Sequence, residues 1–215
     1  MKPTDRRIRV DSEKPARVSI LQSARAVLSG DLVVFPTRCL YGLAADAFNE
    51  NAVEKVFRAK GRPPENPILI LIRHERDLKG LVTVVPETAV TLMRKLWPGE
   101  LTLVFPAADT VPAALTGGTG KIGIRLPAHP VARALVEAVG RPITGTSANV
   151  SGQPGCTDIE LLAEKIAVSA AVIIDSGPLA GGVGSTVVDV TREKPQILRS
   201  GAVPDAVIRA SLAAD

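Results

Sequence analysis

Short apolar runs alternate with amphipathic segments along most of this 215-residue sequence, and this alternation restricts the fold more than any other feature. The runs at 32–35 and 68–72 contain only apolar residues, which is typical of strands buried on both faces. Segments in which apolar residues recur at helical spacing stand beside these runs, at 16–29, 50–60, 87–96 and 130–139. The pattern therefore predicts a layered α/β fold in which helices cover a sheet.

The rest of the chain predicts further strands and two short helices. We expect strands at 101–105, 122–126, 142–146, 171–174, 186–190 and 196–198. Thr157-Asp158-Ile159-Glu160 has the form of a capping box and predicts a helix from there to about Val168. A last short helix is expected after Pro204. The strands that cluster late in the chain indicate that the sheet is mixed.

Charge and length predict the domain boundaries. Six cations and three acids lie within residues 1–17, which we interpret as a solvated, partly ordered tail, with an RNA-contacting arm as the alternative. The expected division is a charged N-terminal tail at 1–14, one domain at 15–203, and a C-terminal helix at 204–215 that packs on the domain or trails from it.

The scarcity of histidine, cysteine and aromatic residues excludes several kinds of site. His74 and His129 lie far apart, which argues against a histidine-rich metal centre, so no metal bound by protein ligands is expected. Cys39 and Cys156 are too few for a thiolate zinc site or a disulfide framework, and they favour a reduced, cytoplasmic setting. One tryptophan, one tyrosine and four phenylalanines do not suit RNA binding by base stacking.

Neither a membrane span nor a secretory signal is expected. No apolar run reaches the roughly 20 residues that a spanning helix needs. The N-terminus is charged and has no apolar core of a signal peptide.

Three loops between the expected elements carry clusters of polar and charged residues. The first, at 36–43, follows a strand and contains the only tyrosine of the chain. The second, at 60–67, places Lys60 and Arg62 on either side of a glycine in a stretch rich in proline, and we expect both cations in an exposed loop. The third, at 144–152, is a run of small hydrogen-bonding residues.

Each loop has two interpretations. Lys60 and Arg62 either complement the dipole of the preceding helix or bind a phosphate chain or carboxylate, for which arginine offers a planar fork and lysine a mobile charge. The third loop is either an ordinary capped turn or a lining of hydroxyl, amide and backbone donors for a polar ligand.

Taken together, the motifs resemble the single-domain YrdC/Sua5 family of threonylcarbamoyl-adenylate synthases over about residues 15–203. The loops that carry the resemblance are Pro36–Leu43, Lys60–Pro67 and Ser147-Ala148-Asn149 followed by Ser151-Gly152. Further matching segments are Trp97-Pro98-Gly99 with Leu101-Thr102, Ile122–Pro127, Ser185–Asp189 and Leu198-Arg199-Ser200-Gly201. The resemblance implies a twisted open mixed sheet flanked by helices, with a concave cationic groove. It also implies that the extra domain of the longer Sua5 form is absent.

The resemblance implies a nucleotidyltransferase that joins L-threonine, bicarbonate and ATP. The expected products are L-threonylcarbamoyladenylate and pyrophosphate, with Mg²⁺ carried by ATP. Downstream transfer proteins would then move the carbamoyl group onto adenosine 37 of certain tRNAs. Catalysis of this kind depends on positioning and charge stabilisation more than on a side-chain base, which suits a site rich in cations and poor in histidine.

The resemblance also assigns residues to the two halves of the site. The ATP side would comprise Lys60, Arg62, Asn66, Lys121, Ser147, Asn149 and Arg199, with Lys60 and Arg62 as the catalytic residues. The threonine side would comprise Thr37, Cys39, Tyr41, Arg125 and Ser185, with Arg125 taking the carboxylate of threonine.

The chain departs from the family pattern at four positions. Arg38 and Cys39 stand where an acid and a threonine are usual, which puts the amino-acid side of the pocket in question. Leu71 stands where many longer members carry a histidine. Gly155 replaces a serine that often helps to bind the nucleotide, and a backbone amide could substitute for it.

Two other functions fit the sequence less well. A non-enzymatic module of the same fold that binds double-stranded RNA or assists ribosome maturation would need few aromatic residues, but it would not need both motifs of the site. A carbamoyltransferase domain of hydrogenase maturation usually comes with zinc fingers, for which two cysteines are too few.

Overall fold

A computed structural model describes residues 6–213, and these residues form two mixed β-sheets flanked by helices. The strands are β1 (Arg7–Arg9), β2 (Leu32–Pro36), β3 (Tyr41–Ala44), β4 (Ile70–Leu71), β5 (Leu101–Pro106), β6 (Lys121–Arg125), β7 (Ile143–Thr144), β8 (Thr146–Ser147), β9 (Ala170–Asp175), β10 (Thr186–Asp189) and β11 (Gln196–Arg199). The helices are α1 (Arg17–Leu28), α2 (Glu50–Lys60), α3 (Glu87–Leu96), α4 (Ala113–Thr116), α5 (Pro130–Val139), α6 (Glu164–Ser169) and α7 (Asp205–Ala213), with 3₁₀ turns at Glu75–Leu78 and Ile159–Leu161. The predicted α/β fold with mixed strand directions is confirmed.

The strands are divided between a five-stranded and a six-stranded sheet, where the sequence suggested one. The orders are β1-β9-β2-β3-β8 and β11-β10-β5-β6-β4-β7. In the first sheet β9 lies parallel to β1 and β2, and in the second β10 is parallel to β5 and β4 to β6. The remaining neighbours are antiparallel.

The apolar side chains form two core layers, one on each face of β2. Leu32 and Val34 belong to the larger layer, which also contains the inward side chains of β5, β6 and β10. Val33 and Phe35 point the opposite way, into a layer shared with α1 and α5. This alternation is the period-two geometry of a strand, and burial of both faces explains why the run contains only apolar residues.

Local capping signals fix the ends of α2. The side chain of Asn49 accepts a hydrogen bond from the backbone N–H of Ala52 at 3.2 Å, which satisfies one free donor at the first turn. Gly61 ends the helix in the left-handed conformation, with φ of 58°. Lys60 is therefore the last helical residue.

The N-terminal segment contains a strand where the sequence suggested a solvated tail. Arg7–Arg9 lies parallel to β9 at the edge of the first sheet. Arg7 and Arg9 both bind the carboxylate of Asp175, and charged side chains are common on edge strands. The interpretation of 1–14 as a tail is thus wrong for residues 7–9, while residues 1–5 lie outside the described part of the chain.

The helix predicted at 157–168 is divided, and only its second part is α-helical, as α6. Asp158 caps the 3₁₀ turn Ile159–Leu161, and the chain is extended at Leu162 before α6 begins at Glu164. The backbone N–H of Leu179 binds the carbonyl of Thr157 at 2.8 Å, so a tertiary contact ties this segment to the loop that precedes β10. The strand expected at 68–72 is shortened to β4, and β3 overlaps the end of the stretch expected to be the first loop.

None of the helices within residues 6–213 is long and apolar enough to cross a membrane.

Candidate active site

One face of the six-stranded sheet carries several polar side chains, whereas the other face is part of the larger core layer. Along β6, Ile122 and Ile124 are fully buried in the larger core layer, and the alternate residues Lys121, Gly123 and Arg125 face the opposite side. Leu69 and Thr102 pack closely over Gly123, since a Cβ there would lie 3.2 Å from Leu69 and 3.3 Å from Thr102. The predicted site loops end beside this face.

Lys60 is buried, with 1% of its surface exposed, and does not lie in an exposed loop as the sequence suggested. Its ammonium donates to the carbonyl oxygens of Ser147 and Asn149, the latter at 2.7 Å, and to Asn149 Oδ1 at 3.3 Å. The backbone N–H of Ser151 in turn binds the carbonyl of Lys60 at 2.8 Å. The second and third predicted loops are thereby joined around one cation.

Arg62 organises the loop that follows α2. Its guanidinium donates to the carbonyl oxygens of Asn66 at 3.2 Å and Pro67 at 2.9 Å. The side chain of Asn66 is exposed, so the contact of this residue with Arg62 is made through its backbone.

The Ser147–Asn149 turn is held by its own side chains. The Ser147 hydroxyl binds Asn149 Oδ1, and the Asn149 amide donates to the carbonyls of Val150 at 3.0 Å and Gln153 at 2.7 Å. These contacts orient the turn before any ligand binds.

Arg199 and Ser185 meet at the far edge of the polar face. Arg199 donates to the carbonyl of Ser185 at 2.8 Å and to its hydroxyl at 3.3 Å. The buried Ser185 hydroxyl also lies 2.7 Å from the hydroxyl of Thr102, a residue on β5 that the sequence analysis did not select.

Arg125 is 7% exposed and forms a buried ion pair with Glu100. Its Nε also donates to the carbonyl of Gly99 at 2.7 Å. Glu100 was missed in the sequence because it stands between two matching segments, Trp97-Pro98-Gly99 and Leu101-Thr102, without belonging to either.

Four cations follow one another across the site. Burial lowers the pKa of Lys60 to about 8, and the charge of Arg62 adds to this effect. Burial also lowers the pKa of Arg62 and that of Arg199, and the charge of Arg199 acts on Arg62 in the same direction. The pKa of Arg125 is lowered chiefly by burial, against the opposing charge of Glu100, and Arg199 contributes here too.

This row of like charges is only partly compensated. Within residues 6–213, Arg125 has a carboxylate partner, whereas Lys60, Arg62 and Arg199 bind backbone and amide or hydroxyl oxygens alone. Partly desolvated cations without counter-charges attract a polyanion more strongly than exposed ones, because the local dielectric is lower.

The first predicted loop is held by the residues that the sequence selected. The Thr37 hydroxyl donates to the carbonyl of Leu40 at 2.6 Å and closes the turn. Cys39 is half-buried, and the pKa of its thiol is raised by burial and by the charge of Glu100. The loop therefore brings Cys39 to the Glu100–Arg125 pair.

Tyr41 is fully buried, and its hydroxyl bonds to the loop that follows β9. Its hydroxyl donates to the carbonyl of Gly177 at 2.7 Å and accepts from the backbone N–H of Ser176 at 3.1 Å. Burial is the main cause that raises the pKa of this phenol. Tyr41 thus anchors the end of the first loop in the interior of the protein.

Lys121 lies apart from the other cations. It stands four residues before Arg125 on β6, which corresponds to roughly 13 Å along a strand. Its ammonium binds the buried carboxylate of Asp189 at 2.8 Å. The fold therefore gives Lys121 a counter-charge, whereas Lys60, Arg62 and Arg199 have none among the residues that the structure describes.

Within residues 6–213, no cluster of three or more histidine, cysteine or acidic side chains is arranged to hold a metal ion.

Comparison with known proteins shows similarity over nearly the whole chain. A family model described as telomere recombination, which represents the Sua5, YciO and YrdC proteins, matches residues 25–201. A threonylcarbamoyl-AMP synthase of Pyrococcus abyssi is 44% identical over 182 residues, which are 85% of this chain and 54% of the relative. A putative threonylcarbamoyl-AMP synthase of Mycobacterium tuberculosis is 39% identical over 90% of this chain and 88% of its own length.

The fold agrees with these similarities. The crystal structure of P. abyssi Sua5 complexed with L-threonine superposes with a TM-score of 0.91 and 41% identity, covering 95% of this chain and 60% of that one. The chain thus spans little more than half the length of the P. abyssi protein. Residues 25–201, which the family model matches, include every strand except β1 and the loops that form the candidate site.

Proposed function

The chain belongs to the Sua5/YciO/YrdC family, and on this premise we propose that it is an ATP-dependent L-threonylcarbamoyladenylate synthase. The observation that carries the proposal is the row of Lys60, Arg62, Arg199 and Arg125, in which only Arg125 has a carboxylate partner within residues 6–213. ATP, which is a polyanion, and threonine, which carries a carboxylate, would bind next to each other along this row. A family member with the same fold and bound L-threonine supports the assignment of one of them.

On the ATP side, Lys60, Arg62 and Arg199 face the phosphates, with Ser147 and Asn149 shaping the adjacent turn and Asn66 at the rim. Arginine presents a planar fork to phosphate oxygens and lysine a point charge, so the row combines orientation with charge. The charge of Lys121 is already paired with Asp189, so a contact with ATP would have to share that charge. We therefore assign Lys121 a lesser role in binding ATP. The polar face of the second sheet and these cations together make up the concave cationic groove of the proposal.

On the threonine side, Arg125 holds the carboxylate, and Ser185 and Cys39 border the side chain. Thr37 and Tyr41 fix the loop that carries Cys39, Thr37 by closing its turn and Tyr41 by anchoring its end. Their effect on the substrate is therefore exerted through the loop.

The reaction needs charge stabilisation more than proton transfer by a side chain. The threonine amine forms a carbamate with bicarbonate, with loss of water. A carbamate oxygen then attacks the α-phosphorus of ATP, the bond to the β-phosphate oxygen breaks, and pyrophosphate leaves. The cations offset the repulsion between carbamate and triphosphate and stabilise the charge that develops on the leaving group.

Mg²⁺ would supply further neutralisation of the phosphates when bound. This hard cation prefers phosphate oxygens and water and usually takes only one or two protein carboxylates. The donor set fits entry with ATP, because the carboxylates of Glu100 and Asp189 each already carry an adjacent cation, Arg125 and Lys121, that repels a metal ion.

We place the reaction at the first step of threonylcarbamoyladenosine formation at position 37 of tRNA. The mixed anhydride product is reactive, so downstream transfer proteins would accept it close to where it forms. A reducing compartment such as the cytoplasm suits the two free thiols, Cys39 and Cys156.

Pyrophosphate release tests the proposal. The protein is given ATP, Mg²⁺, bicarbonate and L-threonine, and release is measured with each component omitted in turn. We expect release only with all four. Release that continues without threonine or bicarbonate would contradict the synthase assignment.

Arg62→Ala should lower the rate at least tenfold, since a charge-assisted contact with phosphate is lost. Arg58→Ala is the matched control, because Arg58 lies four residues before Arg62, on α2, and pairs with Glu54 at the surface. Equal rates in the two variants would place the ATP phosphates elsewhere.

A further inference from the structure

A buried carboxylate at the site has no part in the proposed reaction so far. Glu100 is 7% exposed, and burial of a charge is costly unless it is paired and hydrogen-bonded. The pairing with Arg125 offsets that cost. The same pairing partly cancels the charge that is to hold the carboxylate of threonine, so the presence of Glu100 calls for a function of its own.

Both Glu100 and Arg125 have hydrogen-bonding groups that are not used within residues 6–213. Arg125 has five N–H groups, of which one binds Gly99 and another binds Glu100 Oε1. Glu100 Oε2 forms none of the hydrogen bonds found within residues 6–213, and it is not among the side-chain oxygens enclosed there without a partner. This oxygen is therefore not sealed from solvent, is free to accept a further hydrogen bond within the described residues, and belongs to the carboxylate that Arg125 binds.

Hydroxyl and thiol groups surround the pair. Cys39 lies within the field of both charges, since Glu100 raises and Arg125 lowers the pKa of its thiol, while burial is the main cause of its raised value. Ser185 and Thr102 join their hydroxyls nearby, and β10 is hydrogen-bonded to Glu100 through the N–H of Thr186. A small polar ligand would thus meet one cation, one anion and a few hydroxyls.

We propose that Glu100 and Arg125 together recognise the zwitterion of an α-amino acid, with Arg125 binding the carboxylate and Glu100 Oε2 accepting from the ammonium group. This inference rests on the proposed function and extends it to a residue that the family resemblance does not assign. The neighbouring positive and negative charges of Arg125 and Glu100 match the neighbouring negative and positive charges of the amino acid. Because the guanidinium of Arg125 would contact both the carboxylate of Glu100 and the carboxylate of the ligand, it fixes the distance between these two carboxylates. Glu100 acts here as a binding residue that selects ligands with a free amine.

Ligand binding measured on the full chain tests the proposal. Trp97 is the only tryptophan, is 7% exposed and lies three residues from Glu100, so its fluorescence can report binding. The probes are L-threonine and 3-hydroxybutanoate, which has the same carboxylate, hydroxyl and carbon skeleton but no amine. The variants are Glu100→Gln, which keeps an oxygen for Arg125, and Glu160→Gln, which removes a carboxylate from the exposed pair with Arg7.

We expect the protein and Glu160→Gln to bind L-threonine at least about tenfold more tightly than 3-hydroxybutanoate, as is usual for a hydrogen bond between charged groups. In Glu100→Gln this preference should fall to about threefold or less, while the affinity for ATP stays within about twofold. If the ion pair were purely structural, its loss in Glu100→Gln would weaken the binding of both ligands equally. An unchanged preference for L-threonine over 3-hydroxybutanoate in Glu100→Gln therefore overturns the proposal.

A panel of L-amino acids, tested for binding to the unchanged protein, distinguishes failure of the proposed function from failure of the zwitterion site. Binding of another α-amino acid in place of threonine, with the same loss of preference in Glu100→Gln, supports the zwitterion site and contradicts the synthase. Binding of no α-amino acid overturns both.

Discussion

The ammonium of Lys60 donates to the carbonyl oxygen of Asn149 at 2.7 Å, across 89 residues of sequence. The contact places a cation, without a carboxylate partner within residues 6–213, inside the protein at the junction of two site loops. Such an arrangement costs stability in the unliganded protein and becomes favourable when an anion arrives. Lys60 thus links the stability of the fold to the charge of the ligand.

The free energy of unfolding should rise with pH through the titration of Lys60. Its folded pKa of about 8 lies below the ordinary value of 10.5, so the unfolded chain binds more protons between these values. The cost of the buried charge is fully present below pH 8 and is relieved as the pH rises toward 10.5, by on the order of 3 kcal/mol. Urea unfolding at several pH values, with Lys60→Met as reference, measures the difference.

The control for this measurement is Lys55→Met, which removes a half-exposed lysine from the same helix. The trend with pH should survive in that variant and disappear in Lys60→Met. A trend of equal size in Lys60→Met would assign it to other groups.

Binding of MgATP at pH 8 should be accompanied by proton uptake. About half of the molecules carry a neutral Lys60 at this pH, and nearby phosphates raise its pKa by favouring the charged form. Calorimetry in two buffers of different ionisation enthalpy should give up to about half a proton per ATP, and less at pH 6.5. Equal uptake in Lys60→Met would show that Lys60 does not face the phosphates.

Gly201 is required for steric reasons that its neighbour Gly184 does not share. A Cβ at Gly201 would lie 2.4 Å from the carbonyl oxygen of Gly184 and 2.5 Å from the carbonyl carbon of Ser185, both backbone atoms that cannot move aside. A Cβ at Gly184 would meet Arg199 at 3.5 Å, an ordinary contact. Gly201→Ala should therefore cost about 2 kcal/mol or more of unfolding free energy and Gly184→Ala about 0.5 or less, as measured by urea unfolding. Equal losses would contradict this account.

Local signals explain which elements could be predicted from the sequence. The bounds of α2 depend on Asn49 and Gly61, which stand directly beside it, and they agree with the prediction. The strand at Arg7–Arg9 depends on pairing with Ile173–Asp175, more than 160 residues away, and its sequence resembles that of a tail. Pairing of distant segments leaves no local pattern from which it could be predicted.

In the candidate site too, some features follow from the local sequence and others from contacts between distant segments. The residue types at Lys60, Arg62 and Arg125 could be selected from motifs, but the burial of Lys60 is set by acceptors in the Ser147–Asn149 turn. Glu100 belongs to no motif, and only the fold reveals that it pairs with Arg125.

Asp175 connects the N-terminal strand to the first site loop. It is 1% exposed and accepts hydrogen bonds from Arg7 at 2.8 Å, Arg9 at 2.6 Å and the N–H of Gly177 at 2.8 Å. Gly177 in turn accepts from the hydroxyl of Tyr41. Asp175→Asn should destabilise the protein by about 3 kcal/mol at pH 7, because two arginines lose a buried counter-charge.

The pH dependence distinguishes this loss from a packing defect. Burial raises the pKa of Asp175, but the bonds from Gly177, Arg7 and Arg9 outweigh it and leave the pKa below its ordinary value of 3.8. The stability that the carboxylate contributes is therefore present above pH 3.8 and is lost as the pH falls through the folded pKa. The difference in urea midpoint between the protein and Asp175→Asn should shrink below about pH 4, whereas Asp31→Asn, which breaks the exposed pair with Lys55, should cost less than about 1 kcal/mol at pH 7. A difference that stays constant down to pH 3 would mean that the carboxylate charge of Asp175 does not hold the strand in place.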